Sequence, residues 1–366
     1  MATMVMHPKP ATLFAKVRPL DDATHRTQLC AKRPIRPSQV LAVKTPSVRA
    51  STVSAALAIK TPSVRVSTVS SAPAPTAAAA AAAAAAVEQR HRPRLHLGMF
   101  EIGKPLGKGK FGRVYLARHR TSGYVCALKV LQKDEVAAEG AEAHVRREIE
   151  VHSRLRHPAV IGFYGWFHDA RRIFIIQEFA AGGELYKSLR RAGRFSQRRA
   201  AVYAAQVGQS LAYLHARDVM HRDLKPENIL VGLHGELKLA DFGYSVHAPS
   251  NRRGTICGTL DYLPPEMLNQ RKVSYTRAVD QWTLGVLTYE FLTGEPPFED
   301  EPHQTKRRIV AGDLKPLPSS ICPEAKDFVY SLLDQDPAKR LPLTEVMNHP
   351  WIRMHCEKKR PSHKGA

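Results

Sequence analysis

The eight residues His221-Arg222-Asp223-Leu224-Lys225-Pro226-Glu227-Asn228 set a carboxylate close to a lysine and place an asparagine five positions after that carboxylate. A second carboxylate opens Asp241-Phe242-Gly243, thirteen positions after the asparagine. Oxygen ligands at such spacing suit a divalent cation carrying phosphate, and a free carboxylate beside them can orient a hydroxyl nucleophile. The chemistry these residues could perform together is phosphoryl transfer.

Two segments further upstream would serve the same chemistry. Gly107-Lys108-Gly109-Lys110-Phe111-Gly112 lies between two apolar, alternating stretches, and glycine lets backbone N–H groups approach a phosphate with no Cβ in the way. Lys129 ends Cys126-Ala127-Leu128-Lys129, an apolar run in which an ammonium needs an anionic partner or an escape to solvent. Glu148, in a helical pattern with Val145 and Ile149, can be that partner. Each feature alone has a commoner structural role: a tight hairpin, a snorkelling lysine, a solvated helix glutamate.

These groups need two kinds of scaffold. Residues 100–131 alternate as strands do, with Thr121-Ser122-Gly123 as a turn. A helix is predicted over 141–155 and further strands over 161–167 and 173–179. Beyond a connector at 178–183 the periodicity is mainly helical, at 200–215, 279–293 and 325–333. The predicted fold class is α+β and bilobal: a small strand-rich N-lobe with one major helix, then a larger helical C-lobe.

In order and spacing the motifs resemble those of eukaryotic protein kinases from about Phe100 to Ile352, closing with Pro264-Pro265-Glu266. The resemblance implies ATP and Mg2+ as cofactors and gives each residue a role. Asp223 would orient the acceptor hydroxyl, Lys225 would neutralise the migrating phosphoryl group, and Asn228 with Asp241 would hold the metal. Lys129, paired with Glu148, would position the α- and β-phosphates. The nucleotide would lie among Leu106, Gly107, Lys108, Gly109, Lys110, Phe111, Gly112, Val114, Ala127, Glu178, Ala180, Glu184 and Glu227. Lys225 favours Ser/Thr over Tyr as acceptor. Asp280 would brace the catalytic loop, and Glu266 would pair with Arg340.

The match narrows further. Asp241-Phe242-Gly243-Tyr244-Ser245-Val246-His247-Ala248-Pro249-Ser250, Cys257-Gly258-Thr259-Leu260-Asp261-Tyr262-Leu263 and Phe163-Tyr164-Gly165-Trp166-Phe167-His168-Asp169 resemble Aurora kinases, as does the polar His152 one turn after Glu148. The resemblance implies Thr255 as the activating phosphosite, with Arg222 reading its phosphate. Arg252-Arg253 make the Thr255 segment like an arginine-flanked substrate, so autophosphorylation is expected. Glu227 and Glu184 would meet substrate arginines, with histone tails among the substrates. Also implied are an activator protein docking on the small lobe near Glu148 and Trp166, and a mitotic role in the nucleus at chromosomes, centromere and spindle. A catalytically weak scaffold is the alternative. Gln177, Tyr244, Gly254 and Gln281 depart from the family pattern, and Cys257 is a candidate redox-sensitive thiol.

The flanks are different. The chain carries a formal net charge of +22, and residues 1–99 hold 14 Lys/Arg against 3 Asp/Glu, half of that excess. They include a duplicated phrase at 43–54 and 59–70, each with a Thr-Pro pair, and the ten alanines 77–86. The composition predicts a disordered basic tail able to make non-specific, salt-dependent contact with nucleic acid or chromatin. It also has an organellar transit character as an alternative address, weakened by Asp21-Asp22. Residues 353–366 read as a basic C-terminal tail. Five scattered cysteines without a Cys-x-x-Cys pair suggest a reducing compartment and no zinc site, and no segment reaches the roughly 20 apolar residues of a membrane span.

Overall fold

In the computed structural model, residues 94–109, 111–248, 257–268 and 274–357 are described. The basic tail to residue 93, Lys110, Gly254, Thr255 and residues 358–366 lie outside them. Strands β1 (Phe100–Gly109), β2 (Gly112–His119), β3 (Val125–Gln132), β4 (Phe163–His168) and β5 (Arg172–Gln177) form an antiparallel sheet in the order β1-β2-β3-β5-β4. The β2–β3 turn closes where Thr121-Ser122-Gly123 predicted it. Gly123 has φ 70°, and its N–H donates to the His119 carbonyl at 2.8 Å.

The two-residue period of β3 decides what each sheet face carries. Cys126 and Leu128 pack with Phe100, Phe167 and Phe174 on one face. Leu131 turns to the other, where it meets Val136 of α1 (Lys133–Ala138) and Val145 of α2 (Glu142–His152). Lys129 shares that second face by alternation, so the helix bearing Glu148 lies over the strand bearing Lys129. The helix stops at His152, three residues short of the sequence expectation, in turns closed by Ser153 and Leu155 N–H groups. Likewise β5 ends at Gln177, because the Glu178 N–H leaves the ladder and donates to the Gly162 carbonyl at 2.8 Å.

The C-lobe contains α3 (Leu185–Ala192), α4 (Gln197–His215), α5 (Pro265–Leu268), α6 (Ala278–Thr293), α7 (Pro302–Ala311), α8 (Pro323–Leu332) and α9 (Pro350–Cys356). Helix α6 is apolar nearly all round, and every residue from Ala278 to Leu292 except Gln281 is buried, as such a helix must be. Arg340 joins it to α5: its fully buried guanidinium grips both Glu266 oxygens at 2.7 Å and lies over the Trp282 ring.

Five short strands escaped the sequence reading, since two or three residues carry no period. They are β6 (Gly183–Glu184), β7 (Val219–Met220), β8 (Ile229–Val231), β9 (Leu237–Leu239) and β10 (Val246–His247). Ladders β6-β8-β9 and β7-β10 matter for position. His221 follows β7 directly, Asn228 precedes β8, and Asp241 comes two residues after β9. The two catalytic-type motifs therefore hang from strand ends that the ladders hold in register.

Of the three loop glycines, packing demands only Gly112. A Cβ there would sit 1.9 Å from the Val130 carbonyl oxygen, whereas at Gly109 the nearest atom is 3.9 Å away. Gly112→Ala should therefore cost about 1–3 kcal/mol or more of stability and Gly109→Ala less than about 0.5. Paired thermal melts would check this; equal melting temperatures would refute it.

Candidate active site

Lys129 and Glu148 face each other across the second sheet face at 2.6 Å, with the Glu148 side chain buried. Burial opposes the Lys129 charge, but the Glu148 and Asp241 carboxylates outweigh it and hold the ammonium above its ordinary range. Val114 is the direct cross-strand partner of Lys129, and Ala127 is two residues before it, so both share its face. Leu106 is the extra residue of a bulge between Pro105 and Gly107, a device that re-aims a side chain. At Gly107 and Gly109 a Cβ would meet only ordinary van der Waals contacts, the Glu184 carboxylate at 3.6 Å and the Gly112 carbonyl oxygen at 3.9 Å. Their backbone is thus free to approach a phosphate. Phe111 is partly buried, packed against the cluster that holds Leu131, Val136 and Val145.

The loop after β7 is organised by a buried carboxylate on α6. Asp280 accepts the His221 and Arg222 N–H groups, each at 2.9 Å, and lies 2.7 Å from His215 Nε2. Burial would raise its carboxyl, yet these donors hold it below the usual carboxylate range. Arg222 takes φ 69° under this constraint. Its guanidinium donates to the Tyr244 carbonyl at 2.8 Å and the Tyr275 hydroxyl at 2.7 Å.

Asp223 follows at once. Its Oδ2 lies 3.1 Å from Lys225 Nζ and accepts from Asn228 Nδ2 at 2.9 Å, while Oδ1 accepts from the Thr259 hydroxyl at 3.3 Å. Asn228 spends both amide bonds on Asp223, which leaves its carbonyl oxygen as a possible metal ligand. Asp241 takes φ 60°, and its Oδ1 accepts the Gly243 N–H at 3.1 Å. Lys129 leads the groups that overcome burial and keep Asp241 ionised, its carboxyl held below the ordinary range. One or two side-chain oxygens are what a phosphate-bound magnesium needs, since the phosphates supply other ligands. The residues present therefore fit ATP and Mg2+: Lys129 and the glycine backbone toward phosphate, Asn228 and Asp241 toward metal.

A column of rings connects the loop to the sheet. His221 meets Phe242 at 5.4 Å, Phe242 meets His152 at 4.7 Å, and His152 meets Phe163 at 5.3 Å between ring centroids. His152 is fully buried on α2, with Nε2 2.7 Å from the Ile161 carbonyl, which requires that nitrogen to carry the proton. Gln177 offers its amide to the other ring nitrogen at 3.5 Å, so this departure from the family pattern fills a polar need created by His152. Tyr244 stacks edge-on with His144 of α2, and Gln281 donates to the Leu341 carbonyl at 2.8 Å, stapling α6 to the chain beyond Arg340.

Residues 100–352 match the protein kinase domain family model. The chain is 58% identical to an Aurora kinase of Schizosaccharomyces pombe over 259 residues, covering 70% of this chain and 72% of that protein. It is 53% identical to Aurora kinase A-A of Xenopus laevis (71% of this chain, 64% of that one) and 52% identical to Aurora kinase B of Danio rerio (73% and 83%). The chain belongs to the Aurora kinases. It is a serine/threonine protein kinase, a family that uses ATP and magnesium.

The remaining residues of this kinase are placed as follows. Glu178 turns its carboxylate to the Gly162 N–H at 3.0 Å and to Lys238 at 2.9 Å, so only its backbone is left for a nucleotide; Ala180 lies two residues on, in the connector. Glu184, at the start of α3, holds Lys187 at 3.1 Å. Burial pushes the Cys257 thiol up, which opposes a reactive thiolate. Sequence reading missed Glu290. It is buried in α6, where Tyr262 donates its hydroxyl, and burial and the carboxylates Glu227, Glu299 and Asp261 push its carboxyl up to about 8. A lone glutamate among fourteen buried positions was the available signal.

Two outcomes follow. Burial lowers His152 to about 4, against an ordinary 6.5, so it contributes stability that is complete above pH 6.5 and lost as pH falls through 4. The contribution is roughly 3 kcal/mol. Denaturant titrations from pH 7 to 4 should show this slope, and His152→Gln should flatten it. Asp223→Asn should lower transfer to a peptide by about 10²–10⁴ in a radiolabel assay while the fold, read by circular dichroism, is kept.

Proposed function

We propose that this kinase phosphorylates serines and threonines flanked by arginine, histone tails among them, and that phosphorylation of Thr255 activates it. The observation that carries the substrate preference is a cluster of acids near the catalytic loop, with Glu227 and Glu299 exposed and Glu290 buried behind them. Burial first of all shifts Glu227, Asp261 and Glu290 toward the protonated form; Glu227 and Glu299 add to the shifts of Asp261 and Glu290, and Asp223 and Glu184 add to that of Glu227. None of Glu227, Asp261, Glu290 and Glu299 forms an ion pair with a described residue. Carboxyls crowded in this way gain from a guanidinium, which offsets their repulsion and makes charge-assisted hydrogen bonds. Glu184, beside the glycine loop, adds a further acid on the same reading.

Activation rests on Arg222. Its present partners, the Tyr244 carbonyl and Tyr275 hydroxyl, are neutral. A phosphate on Thr255 would be a stronger partner and would tie the activation segment to the residue next to Asp223. The assigned roles are Asp223 as base, Lys225 as phosphoryl neutraliser, Lys129 with Glu148 as phosphate clamp, and Asn228 with Asp241 as metal ligands. Family membership supports a mitotic role at chromosomes and spindle and an activator on the small lobe, where Tyr124, Tyr164 and Trp166 are exposed.

Peptide kinetics test the reading. An arginine-flanked serine peptide should be preferred over its Arg→Ala version about tenfold or more, and Thr255→Val should slow its phosphorylation. At neutral pH, Glu290 must give up a proton to meet arginine, so KM for the arginine peptide should fall as pH rises from about 6.5 to about 8.5. Glu290→Gln should raise KM and remove this pH dependence. Equal kcat/KM for both peptides would sink the proposal.

A further inference from the structure

Between Glu184 and Asp218 the chain has no Asp or Glu but seven Lys/Arg. Five of these arginines gather where α3 turns into α4: Arg190 and Arg191 in the last turn of α3, Arg194 after the Gly193 turn, and Arg198 and Arg199 in the first turn of α4. All five are exposed. The first two complement the carbonyl end of α3, but cations in the first turn of α4 stand at the wrong end of its dipole. Helix electrostatics therefore do not account for the cluster.

Nearby acids do not neutralise it. Glu184 is paired with Lys187, and Glu295, next to the Gly294 that packs on the Gly193 carbonyl, is paired with Lys315. Arg199 is held by neutral groups only. It donates to Ser188 Oγ at 3.1 Å and the Tyr203 hydroxyl at 2.9 Å, and it lies over the Phe195 and Tyr203 rings. Among the described residues none of the five has a carboxylate partner.

The surface also selects its occupant by what it omits. None of the exposed large apolar side chains of the described residues falls between 185 and 217. A protein partner would need an apolar centre, a membrane an inserting apolar face, and single strands aromatic rings for stacking. A duplex phosphate backbone needs only cations, and the guanidinium fork suits phosphate better than an ammonium does. We propose that the α3–α4 turn is a binding site for the phosphate backbone of duplex DNA, separate from the basic N-terminal segment and from the catalytic cleft.

The test uses the full chain and a fluorescent duplex DNA probe, read by anisotropy from about 50 to about 200 mM salt. Arg190→Gln/Arg191→Gln/Arg194→Gln should bind more weakly, with the slope of log K against log salt shallower by about 2–3. Peptide phosphorylation, which these residues do not serve, should be unchanged and reports folding. If that variant loses phosphorylation, Arg190→Gln/Arg198→Gln takes its place, with an expected slope change of about 2. Affinity and slope equal to those of the unaltered chain would overturn the proposal and leave any DNA contact to the N-terminal segment. So would binding of an acidic peptide or phosphatidylserine vesicles with none of DNA.

Discussion

A carboxylate removed entirely from water is costly unless several donors converge on it, and Asp280 is the place where this kinase accepts that condition. Two of its donors are the N–H groups of consecutive residues, His221 and Arg222, which forces Arg222 into a left-handed conformation. The turn so created delivers Asp223 to Lys225, Asn228 and Thr259. It also stands the His221 ring against Phe242, from which the contacts run through His152 to Phe163 in the sheet. One buried charge on a C-lobe helix thereby sets the catalytic loop and, through packed rings, the helix that holds Glu148.

The second organising feature is a separation of charge inside a strongly basic chain. Acids collect around Glu290 and Glu227, whereas the α3–α4 turn carries arginines without acids. The two places differ in solvation as well. Glu290 is buried, which suppresses its ionisation, while the arginines lie in water.

Much of the scaffold was legible in the sequence because long periodic segments carry their own signal. Strands β1 to β3 and helices α4, α6 and α8 fall close to where alternation or helical spacing put them. The short ladders did not show, since β7 and β10 are two residues each and exist only through their pairing. The polar departures at Gln177 and Gln281 looked like anomalies in sequence. In the fold each answers a specific polar group, a ring nitrogen of His152 and the Leu341 carbonyl. Phe111, within the glycine loop, lies partly buried against the small-lobe core, a contact that the loop's sequence did not announce.

The sequence alone determined the reaction class, because the kinds of group that transfer phosphate and their order along the chain are properties of residues; the acceptor type came with the family resemblance that those motifs carry. It also determined which segments alternate and which coil. Only the tertiary structure decided which groups share a site and in what state. Lys129 is charged because Glu148 and Asp241 are near, His152 is held neutral by burial, and burial together with neighbouring carboxylates pushes the Glu290 carboxyl up. Charge state depends on burial and on neighbours distant in the chain, and those come into being only when the lobes are built.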